Sequence, residues 1–390
     1  MKDSTLAARA GVCADTQHGA VMPPLHLSAN FSFETFGKKR KYDYTRSGNP
    51  TRDVFAAALA ELEHGSGAVI TSTGMSAIAL VLELLPPRAR VLAPHDGYGG
   101  TWRLFKARER QQRIELELVD MRDEAALAAA LARKPALVWI ETPSNPLLRV
   151  TDVQSVARAA RAAGALVACD NTFLSPVLQK PLDLGADLVV HSTTKYINGH
   201  SDVVGGAVVA RDPELVQQLA WWANCTGVTG APFDSYLALR GLRTLPLRMR
   251  AQEQSARLLA EKLATHAAVR AVHYPGLGAM LSFELAGGLE AVKSLLAGLQ
   301  CFTLAESLGG VESLVAHPAT MTHASMDEAA RACAGITPGL LRLSVGIEDC
   351  EDLWRDLERG LSAAAASDRR RRGTSSPGRR RSAGTSPRPV

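Results

Sequence analysis

Short apolar runs alternate along the chain with longer stretches of helical periodicity. The runs include Ala68-Val69-Ile70, Val91-Leu92-Ala93, Leu137-Val138-Trp139-Ile140, Leu166-Val167-Ala168-Cys169, Leu188-Val189-Val190 and Ala207-Val208-Val209. Such apolar runs alternating with helical segments predict a mainly parallel sheet covered by helices. Residues 1–55, rich in Pro, Ser, Gly and basic side chains, predict an extended arm. A long helical stretch at 233–264 leads to candidate strands at 269–274, 279–285 and 340–345 and a closing helix at 350–365. The pattern therefore predicts an α/β chain divided into an arm (1–55), a large α/β domain (56–245), a smaller C-terminal α/β domain (246–366) and a tail (367–390).

Composition refines this picture in a few places. With 390 residues and 46% hydrophobic content the chain can bury a large core. The formal charge of +5 is concentrated at the end: residues 368–390 hold eight arginines and one aspartate, leaving a net of −2 on the remainder. That tail has almost no apolar content and is expected to be disordered. Such a charge run can bind nucleic acid electrostatically, but its ordinary reading is a dispensable extension, so no nucleic-acid partner is expected. There is no run of about 18 apolar residues and no signal-peptide core, so a cytoplasmic protein with no membrane partner is expected. The six cysteines are scattered without a CxxC pair, and no HxxxH helical pair has an acidic third ligand. Neither a disulfide framework nor a metal site is expected.

Candidate chemistry lies at the ends of the apolar runs. The run 187–191 leads through Ser192 and Thr194 to Lys195. A partly desolvated lysine amine loses basicity and becomes a carbonyl nucleophile, and the two hydroxyls offer donors for an anion; the ordinary alternative is a lysine that snorkels to solvent. Asp170 ends another run, and the 24 residues between it and Lys195 suit a parallel crossover that places both at carboxyl ends of strands. A buried carboxylate there needs a cation, such as a protonated pyridine nitrogen, unless it merely caps a turn. Thr71 to Ile78 follows a strand and opens a helix, with Gly74 allowing an anion to approach free backbone N–H groups. Tyr98, beside Gly99 and Gly100, can lay its ring on a planar cofactor. Phosphate cradle, stacking ring, pyridinium carboxylate and Schiff-base lysine together describe a pyridoxal phosphate site.

The segments Ser192-Thr193-Thr194-Lys195-Tyr196, Asp170-Asn171-Thr172, Pro143-Ser144-Asn145-Pro146 and Tyr44 to Thr51 resemble the Cys/Met-metabolism family of pyridoxal phosphate enzymes. The resemblance covers roughly residues 5–365 and implies the type I fold of these transferases. It also implies that Lys195 carries the cofactor, that Asp170 and Thr172 hold its ring, and that Tyr98 stacks on it and takes part in catalysis. Gly74, Met75, Ser192 and Thr194 would bind phosphate, while Tyr44 and Arg46 would reach the neighbouring subunit's phosphate site. The active unit would be a homodimer, paired into a homotetramer. Arg342 would clamp the α-carboxylate of an amino-acid substrate, with Asn145, Glu306 and Ser307 nearby and Arg103 toward a distal carboxylate. The implied reaction is γ-replacement on an O-acyl-homoserine, the succinyl ester first, by cysteine to give cystathionine in methionine biosynthesis by trans-sulfuration.

The resemblance leaves alternatives. Elimination on cystathionine and use of O-acetylhomoserine remain open, because Ser47 stands where some succinyl-using relatives carry a second arginine. Gly100 argues against elimination on methionine, whose catalysts carry cysteine there. Ser192-Thr193-Thr194-Lys195 also fits the SxxK of serine hydrolases, but no Lys-Thr-Gly follows. The direct passage from Tyr274-Pro275-Gly276-Leu277 to Gly278 is shorter than the connection usual in the family, so a hairpin and a less stable C-terminal domain are expected.

Overall fold

The computed structural model describes residues 1–324 and 326–374. Seven strands form the main sheet: β1 (Gly67–Thr71), β2 (Ala89–Pro94), β3 (Ile114–Val119), β4 (Leu137–Glu141), β5 (Leu166–Asp170), β6 (Leu188–His191) and β7 (Gly206–Ala210). Their order is β1-β7-β6-β5-β4-β2-β3. β7 runs antiparallel to both neighbours, and the other pairings are parallel. Six strands therefore deliver their carboxyl ends to one edge, and Thr71, Pro94, Glu141, Asp170 and His191 stand there together.

The central strands β4 and β7 are buried along their whole length, which is why their sequences read as unbroken apolar runs. At the edge, β3 alternates Ile-Glu-Leu-Glu-Leu-Val, with Glu115 and Glu117 paired to Arg90 and Arg133. Charged side chains on an edge strand discourage pairing with another chain. The helix Gly99–Arg110 is seated by Phe105, whose ring meets Trp139 of β4 edge-on at 5.6 Å. Burying such a side chain contributes about 1.5–3 kcal/mol and seats the helix, whose N-cap is Tyr98, on the sheet.

A second sheet has the order β10-β11-β12-β9-β8, from β8 (Val269–His273), β9 (Met280–Leu285), β10 (Thr303–Leu304), β11 (Leu314–Ala316) and β12 (Leu340–Ser344). β8 and β9 pair antiparallel across Tyr274–Ala279, the hairpin expected from the short connection. Gly276 and Gly278 both take positive φ, 82° and 75°, conformations that other residues adopt only with strain. The turn is held by Arg257 donating to the Gly276 carbonyl at 2.9 Å, by the Gly278 N–H donating to Glu253 at 3.1 Å, and by the Tyr274 hydroxyl donating to the Gly278 carbonyl at 3.1 Å.

Three segments differ from the sequence reading. The arm contains a helix, Asp3–Arg9, with an acidic residue in its first turn and alanines following, and the next helix starts at Pro50 under an Asn49 cap. The stretch 233–264 is two helices, Pro232–Leu242 and Leu245–Ala264. Pro246 lies in the first turn of the second, where a missing N–H costs nothing, so a new helix starts there. The final helix, Cys350–Thr374, continues past 365 into the first arginine cluster, since alanine and arginine are strong helix formers; residues 375–390 of the expected tail lie outside the described residues. No described helix is long and apolar enough to cross a membrane.

The helix Leu245–Ala264 ties the two sheets together. Arg248 donates to the carbonyls of Tyr196 at 2.7 Å and Gly241 at 2.8 Å. One turn on, Gln252 donates to the carbonyls of Gly310 and Val345 at 2.7 and 3.0 Å.

Candidate active site

A cavity of about 670 Å³ opens at the carboxyl edge of the main sheet and is closed on its far side by the C-terminal sheet. Every residue singled out above as catalytic, cofactor-binding or substrate-binding lines it, except Tyr44 and Arg46. Those two stand outside it. Arg46 donates to the Asn224 carbonyl and side-chain oxygen at 2.7 and 3.0 Å and packs over the Tyr44 ring.

The anion cradle is built from two loops in contact. The helix Gly74–Leu82 is capped by Thr73, whose hydroxyl accepts from the Ser76 N–H at 2.9 Å, leaving the first N–H groups of the helix directed at the cavity. A Cβ on Gly74 would lie 2.8 Å from that of Ser192, so only glycine lets the cradle meet the loop after β6. That loop is held by the Ser192 N–H donating to the Thr172 hydroxyl at 2.9 Å and by the Gly205 N–H donating to the Thr194 hydroxyl at 3.0 Å. A Cβ on Gly206 would lie 2.6 Å from the Thr71 hydroxyl.

At the centre of the edge stand two carboxyls. Asp170 accepts from the Thr172 N–H at 3.0 Å; burial pushes its pKa up, against the Thr172 hydrogen bonds and the His191 charge. Glu141, its register partner on β4, was not among the sequence candidates. Both its oxygens accept from the Tyr98 N–H, at 3.0 and 2.8 Å. Burial first, then the neighbouring Asp170, push its carboxyl well above the usual range. The signal was the same one that marked Asp170, a charge ending an apolar run. Glu141 fixes the backbone at Tyr98, whose phenol burial pushes up. Behind the edge His191 pairs with the buried Glu63 at 2.6 Å.

Lys195 donates to the Ser307 hydroxyl at 2.7 Å. Burial brings its amine down to about 8; the Arg342 charge adds to this and Glu306 opposes it. Ser307 is held at φ 91° and its carbonyl accepts from Arg342 at 2.9 Å. The other Arg342 terminal nitrogen donates to the Asn145 side chain at 2.9 Å. Arg342 is 3% exposed, its Nε has no partner, and no described carboxylate pairs with it. A buried guanidinium so placed has the chemistry to hold an anion that enters the cavity. Lys195 engages Ser307, not Ser192, so the SxxK arrangement is not assembled.

These features fit pyridoxal phosphate: a carboxyl at the sheet edge with no salt-bridge partner among the described residues, for the ring nitrogen, a lysine of lowered basicity, an aromatic face and a cradle closed to side chains. The site and fold are those of a type I pyridoxal phosphate enzyme. The profile of the Cys/Met metabolism PLP-dependent enzyme family matches residues 4–362, and the chain belongs to that family. It is 54% identical over 380 residues to cystathionine gamma-synthase of Escherichia coli (strain K12), covering 93% of this chain and 98% of the relative. It is 43% identical to cystathionine beta-lyase of Coxiella burnetii (strain RSA 493 / Nine Mile phase I), covering 92% and 97%. A crystal structure of cystathionine gamma synthase from Xanthomonas oryzae pv. oryzae in complex with cystathionine superposes with a TM-score of 0.93 at 60% identity, covering 94% of this chain and 99% of that one.

Proposed function

We propose that the chain catalyses γ-replacement, converting O-succinyl-homoserine and cysteine to cystathionine and succinate, a step of methionine biosynthesis in the cytoplasm. The observation that carries this reading is the pair of cations, Arg342 and Arg103, lining one cavity; O-succinyl-homoserine carries two carboxylates. The likeness to the gamma-synthases of Escherichia coli and Xanthomonas oryzae supports it.

Bound pyridoxal phosphate supplies a carbonyl to condense with the substrate amine and a ring that withdraws electrons from its α-carbon. Asp170 and Thr172 would hold that ring at its nitrogen, Tyr98 would cover its face, and Gly74, Met75, Ser192 and Thr194 would hold its phosphate. Arg342 and Asn145 bind the α-carboxylate, and Arg103 binds the succinyl carboxylate. Lys195 takes the α-proton as a neutral amine, which a pKa of about 8 makes available near neutral pH. The same amine moves a proton at Cβ as the Cγ–O bond breaks and succinate leaves. Ser307 holds the Lys195 amine at the substrate. Cysteine then loses its thiol proton to the Tyr98 phenolate as its sulfur bonds to Cγ, with Glu306 placed for its ammonium, and the Lys195 ammonium returns protons to Cβ and Cα. Tyr44 and Arg46, outside their own cavity, complete the phosphate site of a second subunit, so the active unit is a homodimer, paired into a tetramer.

The test is product analysis. Purified protein is incubated with O-succinylhomoserine, O-acetylhomoserine or cystathionine, with and without cysteine. Cystathionine formed fastest from the succinyl ester supports the reading; oxobutanoate or homocysteine from cystathionine alone moves the chain to a lyase.

A further inference from the structure

The Arg342 guanidinium takes its direction from Asn145, and the Asn145 backbone is itself held. The His323 Nε2–H donates to the Asn145 carbonyl at 3.0 Å, and the Thr322 hydroxyl meets His323 Nδ1 at 2.8 Å. A carbonyl only accepts, so the proton must be on Nε2, and Nδ1 receives the threonine hydrogen. On the other side the Ser282 hydroxyl donates to the Pro146 carbonyl at 2.6 Å, and Ser282 is the strand partner of Arg342. Met321, Thr322 and Ala324 form a wall of the cavity, while the imidazole between them is 1% exposed and points away from it into this network.

We propose that His323 is a positioning residue for carboxylate recognition: its Nε2–H fixes Asn145, and Asn145 aims Arg342 at the substrate. The inference rests on Arg342 being the α-carboxylate clamp. His323 does not touch the ligand; it sets the geometry of a guanidinium that has only neutral oxygens to orient it. The ring works in its neutral form, and two features of the site preserve that form. It is buried, and Arg342 lies close enough to oppose a second positive charge; together these bring the imidazole down to about 4 against the opposing Asn145 hydrogen bond.

The experiment compares L-alanine with L-alaninamide, read as the absorbance change of the bound cofactor in the holoenzyme. His323→Ala is expected to weaken L-alanine about ten- to a hundredfold, the range for one lost buried hydrogen bond. Binding of L-alaninamide, which lacks the carboxylate, stays at the wild-type value. His323→Gln retains an N–H donor and restores most of the L-alanine affinity. Should the alanine variant fail to fold, His323→Met, of similar volume and without a donor, gives the same comparison. L-alanine affinity unchanged in the donor-free variant, or equal losses for acid and amide, overturns the inference. Arg342→Lys separates the two levels. If it binds L-alanine as the wild type does, the clamp reading itself fails; if it loses affinity while His323→Ala does not, only the role of His323 fails.

Discussion

Gly100→Ala separates what the active site needs from what the fold needs. Gly100 is the second residue of the helix Gly99–Arg110, where alanine in place of glycine favours folding by up to about 0.5–1 kcal/mol. The added methyl group would lie 2.8 Å from Tyr98 Cζ and 2.9 Å from Met75 Sδ, and closer still to Tyr98 Cε1. Tyr98 is 40% exposed, so its ring can retreat cheaply. The strain is thus relieved by moving the ring proposed to stack on the cofactor rather than by loosening the core. Stacking of this kind is worth about 0.5–1.5 kcal/mol, so cofactor affinity should fall by roughly two- to twelvefold. The melting temperature of the cofactor-free protein should hold within about 2 °C or rise. Fluorescence titration of the cofactor-free protein with pyridoxal phosphate, beside calorimetry of the same sample, reads both quantities. Wild-type affinity, or a large loss of melting temperature without a loss of affinity, would refute the assignment of Tyr98 as the stacking ring seated by Gly100.

Lys195→Ala should abolish the absorbance band that depends on covalent attachment of the cofactor and lower turnover by many decades; substantial residual turnover would remove Lys195 from catalysis. The Glu141 carboxyl is raised in the folded protein, so its contribution to stability is lost as pH rises above the ordinary carboxyl range of about 4. Glu141→Gln should reduce that loss, seen as a smaller drop in melting temperature between acid and alkaline buffer; identical profiles would count against it. His323 is depressed, so the opposite holds: its contribution is complete above pH ~6.5 and lost as pH falls toward ~4, up to about 3 kcal/mol. His323→Gln should flatten the acid limb in urea titrations, and an unchanged limb would contradict the assignment. A version with a longer connection in place of 275–278 should melt higher than the natural chain, and equal melting temperatures would show that the short hairpin carries no cost.

Much of the site was legible because charged residues ending apolar strands are few, and Asp170 and Lys195 both announce themselves in this way. Glu141 has the same signature, but its importance comes from lying in register with Asp170 and under Tyr98, a relation that sequence spacing does not encode. His323 was out of reach for a different reason: it sits in a loop, 178 residues from the Asn145 carbonyl it binds, with no periodicity to place it. The direction of β7 was hidden because a strand buried on both faces looks alike whichever way it runs. Tyr44 and Arg46 show another limit. The part proposed for them depends on a second copy of the chain, and in this one they lie beyond the cavity.

The reversal of β7 has a practical consequence for engineering. Because this strand begins at the cavity edge with Gly206 and ends with Ala210 at the opposite edge, the connection that follows it emerges on the far side of the sheet. Arg211, Asp212 and Pro213 are exposed there, and none of them lines the cavity. A reporter domain or a split point placed between Arg211 and Asp212 would project into solvent from the face opposite the cofactor. Insertions after the carboxyl ends of β4, β5 or β6 would instead enter the chemistry directly.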